Sequence, residues 1–342
     1  MPTIRDVAKR AGVSPITVSR VINDSDYVSQ ETRERVEAVV EELGYVPNML
    51  GPSLRFKQTM TMALVMTDIT NPFWTTVARG VEDVAQANGY SVILCNTDES
   101  EEKQEQYVQM LLRRRIDGIL LVPACSDDPN PVKNIQKQSI PVVLLDRQMP
   151  DVQVDIVRAD SEAGAYQLTQ HLLSLGHTRI ALMTGRQTVS TAVDREKGYR
   201  RALADAGLPE SAAQIYWGKF TQDSGYKMAI KALAVDPRPT AMFAANNFIA
   251  LGALRALHEK GYHVPNDMAF TTLDDTPPTF PVDPFLTVLR QPAREMGQQA
   301  AQLLLDRLND SMDADYQHIV LPTEMVIRAS SGQQMAEKIT AA

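Results

Sequence analysis

Cysteine is nearly absent: Cys95 and Cys125 are the two in 342 residues, and each stands beside an apolar, strand-like run. That excludes a disulfide-stapled fold and a cysteine metal framework, and it suits buried thiols in a reducing compartment. No apolar run approaches the ~18 residues of a bilayer span, and Met1 to Asp6 open a polar amphipathic segment without the apolar core of a secretion signal. A cytoplasmic chain with no membrane partner is expected. Also missing are a Gly-rich dinucleotide fingerprint, a P-loop and a nucleophile elbow, and His171, His177, His258, His263 and His318 show no metal-ligand spacing. His177, following Leu175 and Gly176, reads as part of a helix-to-strand turn. Neither catalysis, nor a cofactor, nor a metal is expected.

Positive charge is scarce: 34 Lys and Arg face 42 Asp and Glu, a formal net charge of −8. This excludes indiscriminate nucleic-acid binding, so any DNA contact must be local. Arg5, Lys9, Arg10 and Arg20 stand against Asp6 alone in the first 22 residues, but residues 1–57 hold eight charges of each sign. Charge by itself does not identify a DNA-binding domain. What is plentiful is apolar residue, 44% of the chain, enough to bury the cores of two or three folded units.

The first unit is legible from its caps. Thr3 with Asp6 makes a capping-box start, Ile4, Val7, Ala8 and Ala11 repeat at helical spacing, and Gly12 stops the helix. Ser14 caps a second helix with Pro15 at its first position, where the missing N–H costs nothing, and Val13 is placed to staple against Val18. At ~100° per residue, Val18, Val21 and Ile22 share one face. Ile16, Ser19, Arg20 and Asn23 share the opposite face, flanked by Pro15 and Thr17, and carry groove-reading chemistry. A third helix starts at Ser29, buries Val36, Val39, Val40 and Leu43, and ends at Gly44 and Tyr45 before Pro47. From spacing alone this is a small three-helix module of open use.

The residue identities go further. DVAKRAGVSPITVSRVIN followed by VSQETRERVEAVVEELGYVPN, within Thr3 to Asn48, closely resembles the headpiece of the lactose and galactose repressor (LacI/GalR) family. The resemblance implies that the helix from Ser14 enters the major groove of double-stranded operator DNA. It makes Thr3, Ser14, Pro15, Ile16, Thr17, Ser19, Arg20, Asn23 and Asn48 the expected DNA-contacting residues. The family's next stretch is a hinge helix with a leucine wedge for the minor groove, which places Leu54 at the wedge. Gly51 and Pro52 replace the family's usual Ala-Arg pair, so either the helix starts late, with Gly51 as cap and Pro52 first, or it forms poorly.

From Thr61 onward, strand-like runs alternate with helical segments: TMALVM, SVILCN, GILLVP, PVVLLD, then RIALMT, QIYWG, TAMFAA and MAFTTL. The pattern predicts parallel sheets covered by helices on both faces. Eight units exceed one compact sheet, and a break is expected near Val154 to Ser161, giving two lobes. LTVLRQ with a helix from Ala293 to Asn309, and HIVLPTEMVI, are expected to cross between them.

Open α/β sheets bind ligands beyond the carboxyl ends of their strands. Those ends carry Asp68, Asn71, Phe73 and Trp74, then Asp146 and Arg147, Asn246, and Asp274 with Asp275, while Arg195 opens the helix after RIALMTG. Carboxylates, amides and guanidiniums share hydrogen bonds with hydroxyls, and aromatic rings cover a sugar's C–H face or stack on a base. Singly, each has a plainer reading: Phe73 and Trp74 as core, Asn71 and Asn246 as caps, Asp146 with Arg147 as a surface pair, Asp274 and Asp275 as turn caps.

DITNPFW, LGHTRIALMTG, DREKGYRRAL, AANNFIALGALRAL, LDD and LTVLRQP extend the resemblance to the whole repressor family and to the related periplasmic sugar-binding proteins. It implies an α/β fold: an N-terminal all-α helix-turn-helix headpiece, then a two-lobed, periplasmic-binding-protein-like core of doubly wound parallel sheets. The expected bounds are 1–46 for the headpiece and 47–58 for the hinge. The N-terminal lobe takes 59–158 with 290–320, the C-terminal lobe 159–289 with 321–332. Asn71, Phe73, Trp74, Asp146, Arg147, Arg195, Phe220, Asn246, Asp274 and Gln291 fall at ligand-lining positions. Two departures, Asn246-Asn247 for the usual Asn-Asp and Thr272-Leu273 for the usual Gly-aromatic, bear on which ligand is bound. The implied function is a repressor-type transcription regulator whose small polar effector, a sugar or sugar derivative, sets operator affinity allosterically; a nucleoside or purine is the alternative effector. An α/β enzyme lacks its motifs here, and a solute-binding protein would carry a secretion signal in place of the headpiece. The tail SGQQMAEKITAA lacks sustained heptads, so a homodimer on a pseudo-palindromic operator is expected, not a coiled-coil tetramer.

Overall fold

A computed structural model of the chain describes residues 2–22, 27–46, 58–275, 285–309 and 315–332. Asn23, Asn48, Gly51, Pro52 and Leu54, named above for DNA contact and the hinge, lie outside the described residues. The chain divides into two units, Met1–Thr59 and Met60–Ala342.

In the first unit α1 (Ile4–Ala11) opens with the expected capping box: the Thr3 backbone N–H donates to Asp6 Oδ2 at 2.8 Å and the Asp6 N–H to Thr3 Oγ1 at 3.4 Å. These hydrogen bonds hold the Asp6 carboxyl below its ordinary pKa. Gly12 ends the helix at φ 69°, a left-handed position that glycine adopts without a Cβ clash. Helix α2 (Pro15–Ile22) starts on Ser14, whose Oγ accepts from the Thr17 N–H at 3.1 Å. Helix α3 (Gln30–Leu43) closes on Gly44 at φ 57°. Val7, Ala8, Ala11, Val18, Val21, Val36 and Val39 form the core, with Val13, Ile22, Val40, Leu43 and Tyr45 packed on it. Val7, Val18 and Val36 are fully buried, each contributing ~1.5–3 kcal/mol relative to exposure.

The second unit holds two six-stranded sheets. The first contains β1 (Thr61–Met66), β2 (Ser91–Asn96), β3 (Gly118–Leu121), β4 (Val142–Leu145), β5 (Asp155–Ala159) and β11 (His318–Leu321). The second contains β6 (Ile180–Thr184), β7 (Gln214–Trp217), β8 (Ala241–Ala244), β9 (Ala269–Leu273), β10 (Thr287–Arg290) and β12 (Glu324–Val326). Their orders are β11-β5-β4-β3-β1-β2 and β12-β10-β9-β8-β6-β7, so each lobe repeats the other strand for strand. All pairings are parallel except β12 against β10. The inner strands β3, β4, β8 and β9 are buried at every position, which is why β3, β4 and β8 read as unbroken apolar runs, while β9 carries the buried Thr271 and Thr272.

Every apolar run named from the sequence contains a strand, and the helix over Ala293–Asn309 has the expected ends. The stretch near Val154 to Ser161, expected as the break between lobes, also holds strand β5, which was not expected, and the chain crosses to the second sheet directly after it. Two further crossings follow, between β10 and that last helix and between β11 and β12.

Helices cover both faces: α4 (Pro72–Ala87), α5 (Glu101–Arg114), α6 (Asn130–Gln136) and α11 (Ala293–Asn309) with the first sheet, α7 (Ser161–Ser174), α8 (Ser190–Asp205), α9 (Gln222–Leu233) and α10 (Asn247–Glu259) with the second. Helix α11 is pinned to α4 by a close approach. A Cβ at Gly297 would lie 2.1 Å from the Val77 carbonyl oxygen, and one at Gly80 2.1 Å from that of Arg294. Cys95 and Cys125 are buried free thiols, and His177 donates its N–H to Leu172 O in the turn before β6.

Candidate functional site

Because the strands of each sheet run parallel, their carboxyl ends gather at one edge, and polar caps follow there. Asn71 caps α4, Thr221 caps α9 and Asn246 caps α10, each accepting from a backbone N–H of the helix it opens. The two edges face one another across a cleft of about 210 Å³. All ten residues named for ligand contact line it: Asn71, Phe73, Trp74, Asp146, Arg147, Arg195, Phe220, Asn246, Asp274 and Gln291.

Two aspartates define its floor. Asp146 follows β4 and Asp274 follows β9, the equivalent strands of the two lobes, with φ of 62° and 63°. Each donates its backbone N–H to the neighbouring strand, Asp146 to Val157 O at 2.9 Å and Asp274 to Leu289 O at 3.0 Å. Left-handed backbone at two matched strand ends is strain that aims two carboxylates into one space. Burial pushes the Asp274 carboxyl up to about 6, opposed by the Arg195 charge, and burial also raises Asp146, opposed by Arg195 and Arg147. Burial lowers the Arg195 guanidinium, which Asp146 and Asp274 partly restore.

Hydrogen bonding in the cleft is incomplete. Arg195 donates Nη1 to Ala245 O at 2.9 Å and Gln291 donates Nε2 to Asp274 Oδ1 at 2.7 Å. Asp146 Oδ1, Gln291 Oε1, Arg147 Nε and Arg195 Nε are buried without a partner among the described residues. Two acceptors and two donors of cleft-lining residues thus lack a partner among the described residues, each at a cost of ~1–3 kcal/mol. Phe220 lies over both guanidiniums, 5.7 Å from Arg147 and 5.6 Å from Arg195, in space that Gly185 leaves open. Phe73 and Trp74 meet edge to face at 4.8 Å, buried in the first lobe's core while lining the cleft.

Three sequence-named residues are occupied differently from what was expected. Asn71 spends both ends of its amide, its Oδ1 on the Phe73 N–H and its whole amide on Asn247 of the other lobe. Arg147 is held bidentately by Glu99. Asp275 turns to Arg328 and Arg290 at 2.7 and 3.0 Å and does not line the cleft. The lining also includes Thr67, Asp98, Glu99, Thr191 and Thr221, which the sequence reading did not name. The strand-end rule applied to β2 would have reached Asp98 and Glu99.

In the first unit Ile16 is 66% exposed and Pro15 and Arg20 are exposed, while Val18 and Val21 of the same helix are buried. A large apolar side chain beside a cation on an outward helix face suits thymine methyls and guanine edges. Thr3 and Ser14 use their hydroxyls in caps, Ser14 Oγ also lying 2.9 Å from Thr17 Oγ1, and Arg10 is paired with Glu42 at 2.6 Å.

Comparison with known proteins agrees with both units. Residues 3–48 match the family described as bacterial regulatory proteins, lacI family, and residues 59–329 the periplasmic binding proteins and sugar binding domain of the LacI family. The chain is 37% identical over 330 residues to the HTH-type transcriptional repressor PurR of Vibrio parahaemolyticus, covering 96% of this chain and 98% of that one. It superposes on the transcriptional regulator CelR-cellobiose complex with TM-score 0.73 and 36% identity, covering 97% of this chain and all of that one. On the lac repressor dimer bound to operator and the anti-inducer ONPF the TM-score is 0.83 with 28% identity, covering 96% and 99%. No described helix is long and apolar enough to cross a membrane. The chain belongs to the LacI family of transcription regulators, in which a helix-turn-helix DNA-binding headpiece is joined to a ligand-responsive, periplasmic-binding-protein-like core.

Proposed function

We propose that the effector is a small sugar or sugar derivative bound in the cleft between the two lobes, and that its binding sets the affinity of the α2 face for a pseudo-palindromic operator. The orphaned donors and acceptors carry this reading. A hydroxyl donates and accepts at once, so vicinal hydroxyls satisfy Asp146 Oδ1 and Gln291 Oε1 together with Arg147 Nε and Arg195 Nε, while Phe73, Trp74 and Phe220 cover the C–H faces. The likeness to a cellobiose-bound regulator supports it. A nucleobase is the second reading, favoured by the likeness to PurR and by the same aromatic rings.

The acting form is a homodimer in the cytoplasm. Val92 and Leu94 on edge strand β2 form, with Ile69 and Ala78, an apolar groove on the first lobe, and Leu94 is 46% exposed. A second copy covering this face removes it from water. A thermal-shift screen of neutral sugars, polyols, nucleosides and nucleobases tests the effector class, since a ligand of the native state raises Tm. A rise with sugars that raises or lowers operator affinity supports the proposal. A rise with nucleobases alone replaces the sugar by the second reading.

A further inference from the structure

Glu99 sits in the turn after β2, where Asp98 and Glu99 both take left-handed backbone, φ 51° and 59°. Its carboxylate accepts both terminal nitrogens of Arg147, Nη1 at 3.0 Å and Nη2 at 2.5 Å, and Arg147 Nη1 also donates to Pro123 O at 2.8 Å. Arg186 comes from the second lobe. Its Nη2 donates to the carbonyls of Glu99 and Ala124 at 3.1 and 3.0 Å and stands 3.8 Å from the Glu99 carboxylate. The Arg147 side chain is 3% exposed and that of Glu99 13%.

A guanidinium this buried needs an anion beside it, and the chain supplies its own. The planar fork that holds a carboxylate bidentately holds a phosphate equally well. Asp68, Asp98, Asp146 and Asp274 also line the cleft, Asp98 paired with Lys103 and Asp146 and Asp274 beside Arg195.

We propose that Glu99 sets the charge of the effector: it occupies the anion position of an arginine site, so the cleft takes uncharged polyols and turns away phosphorylated or carboxylated ones. The inference rests on the reading of this cleft as the effector site. An anionic ligand has to displace a carboxylate already seated on Arg147, in a cleft that Asp68, Asp146 and Asp274 also line. A neutral ligand leaves that pair in place and uses only Arg147 Nε. The same carboxylate serves lobe closure, because Arg186 reaches it only when the lobes meet. With Glu99 neutralised or shortened, Arg147 and Arg186 face a space shaped for an oxyanion.

Inorganic phosphate is the probe, because it needs no knowledge of the effector. Its binding is followed by the Tm of the full chain at constant ionic strength, for wild type, Glu99→Gln and Glu99→Ala. Both variants are expected to bind phosphate saturably and at least ~10-fold more tightly than wild type, the scale of a charge-assisted bidentate contact. Adding Arg147→Gln to either variant is expected to abolish the gain. Equal phosphate affinity in all three proteins overturns the proposal, as does a gain that survives Arg147→Gln, and so does a variant that unfolds and is not restored by phosphate. Glucose, ribose and cellobiose on wild type form a separate arm. Failure of every neutral sugar to stabilise wild type removes the sugar reading, while the phosphate comparison still decides the role of Glu99.

Discussion

Asn71 and Asn247 exchange two hydrogen bonds across the cleft, each Nδ2 donating to the other's Oδ1, at 3.1 and 3.0 Å. Asn71 follows β1 of one lobe and Asn247 opens α10 of the other, and both are buried, so this amide pair ties the lobes directly. The family pattern puts an aspartate at position 247. With Asn247→Asp one bond survives, and a carboxylate oxygen is set against Asn71 Oδ1 in a buried site. Urea unfolding at neutral pH should show a loss of ~1–3 kcal/mol. An unchanged midpoint would mean that the pair does not hold the lobes.

Asp274 gives a pH dependence of definite sign. Its pKa is raised from 3.8 to about 6 by burial, so the native state binds this proton more tightly than the unfolded chain. The stability it contributes is complete below the unfolded value and is lost as pH rises from about 4 through about 6. Asp274→Asn should therefore become more stable relative to wild type across that window, with the gap levelling off above about pH 7. A gap that does not vary between acid and neutral pH in paired urea titrations contradicts the buried, raised carboxyl.

Much of this architecture was readable in the sequence, and the misses share one physical cause. Strands β3, β4 and β8 are buried on both faces and apolar throughout, and Asn71 and Asn246 mark the ends of β1 and β8. Strand β5 escaped because Asp155 and Arg158 break its apolar pattern. Asp155 is satisfied by Arg307 at 2.7 Å, 152 positions away, and Arg158 by Asp194 at 3.4 Å. Glu99 sits in an acidic run that reads as a solvated helix start, and its partner Arg147 lies 48 positions on. Partners brought together only by the fold leave no local signal of their pairing, even where, as at Glu99, the strand-end rule reaches the residue itself. The same holds for Asn71, whose residue type suits a ligand as well as it suits Asn247.

The approach of α11 to α4 leaves no room for a side chain at Gly297, where a Cβ would meet the Val77 carbonyl at 2.1 Å. The contact is with backbone, so no rotamer change relieves it. Gly297→Ala should cost ~2 kcal/mol or more in spite of alanine's better helix propensity. Wild-type stability in this variant would show that the two helices stand further apart.

Arg20 is exposed on the same helix as Ile16, clear of the buried Val18 and Val21. Arg20→Ala should weaken operator binding by ~1–3 kcal/mol without altering the circular dichroism of the chain. Fluorescence anisotropy showing undiminished affinity would remove this face from the major groove.

Coupling between a ligand in the cleft and the affinity of the headpiece for DNA is the core of the proposed function. It is tested most directly by operator titrations with and without the stabilising effector, for wild type and for Arg195→Ala. Wild-type affinity should change about 5–150-fold on adding effector, the usual span of allosteric coupling, and the two Arg195→Ala titrations should superpose. An Arg195→Ala protein whose operator affinity still responds to effector as wild type does would show that the effector does not act through this cleft.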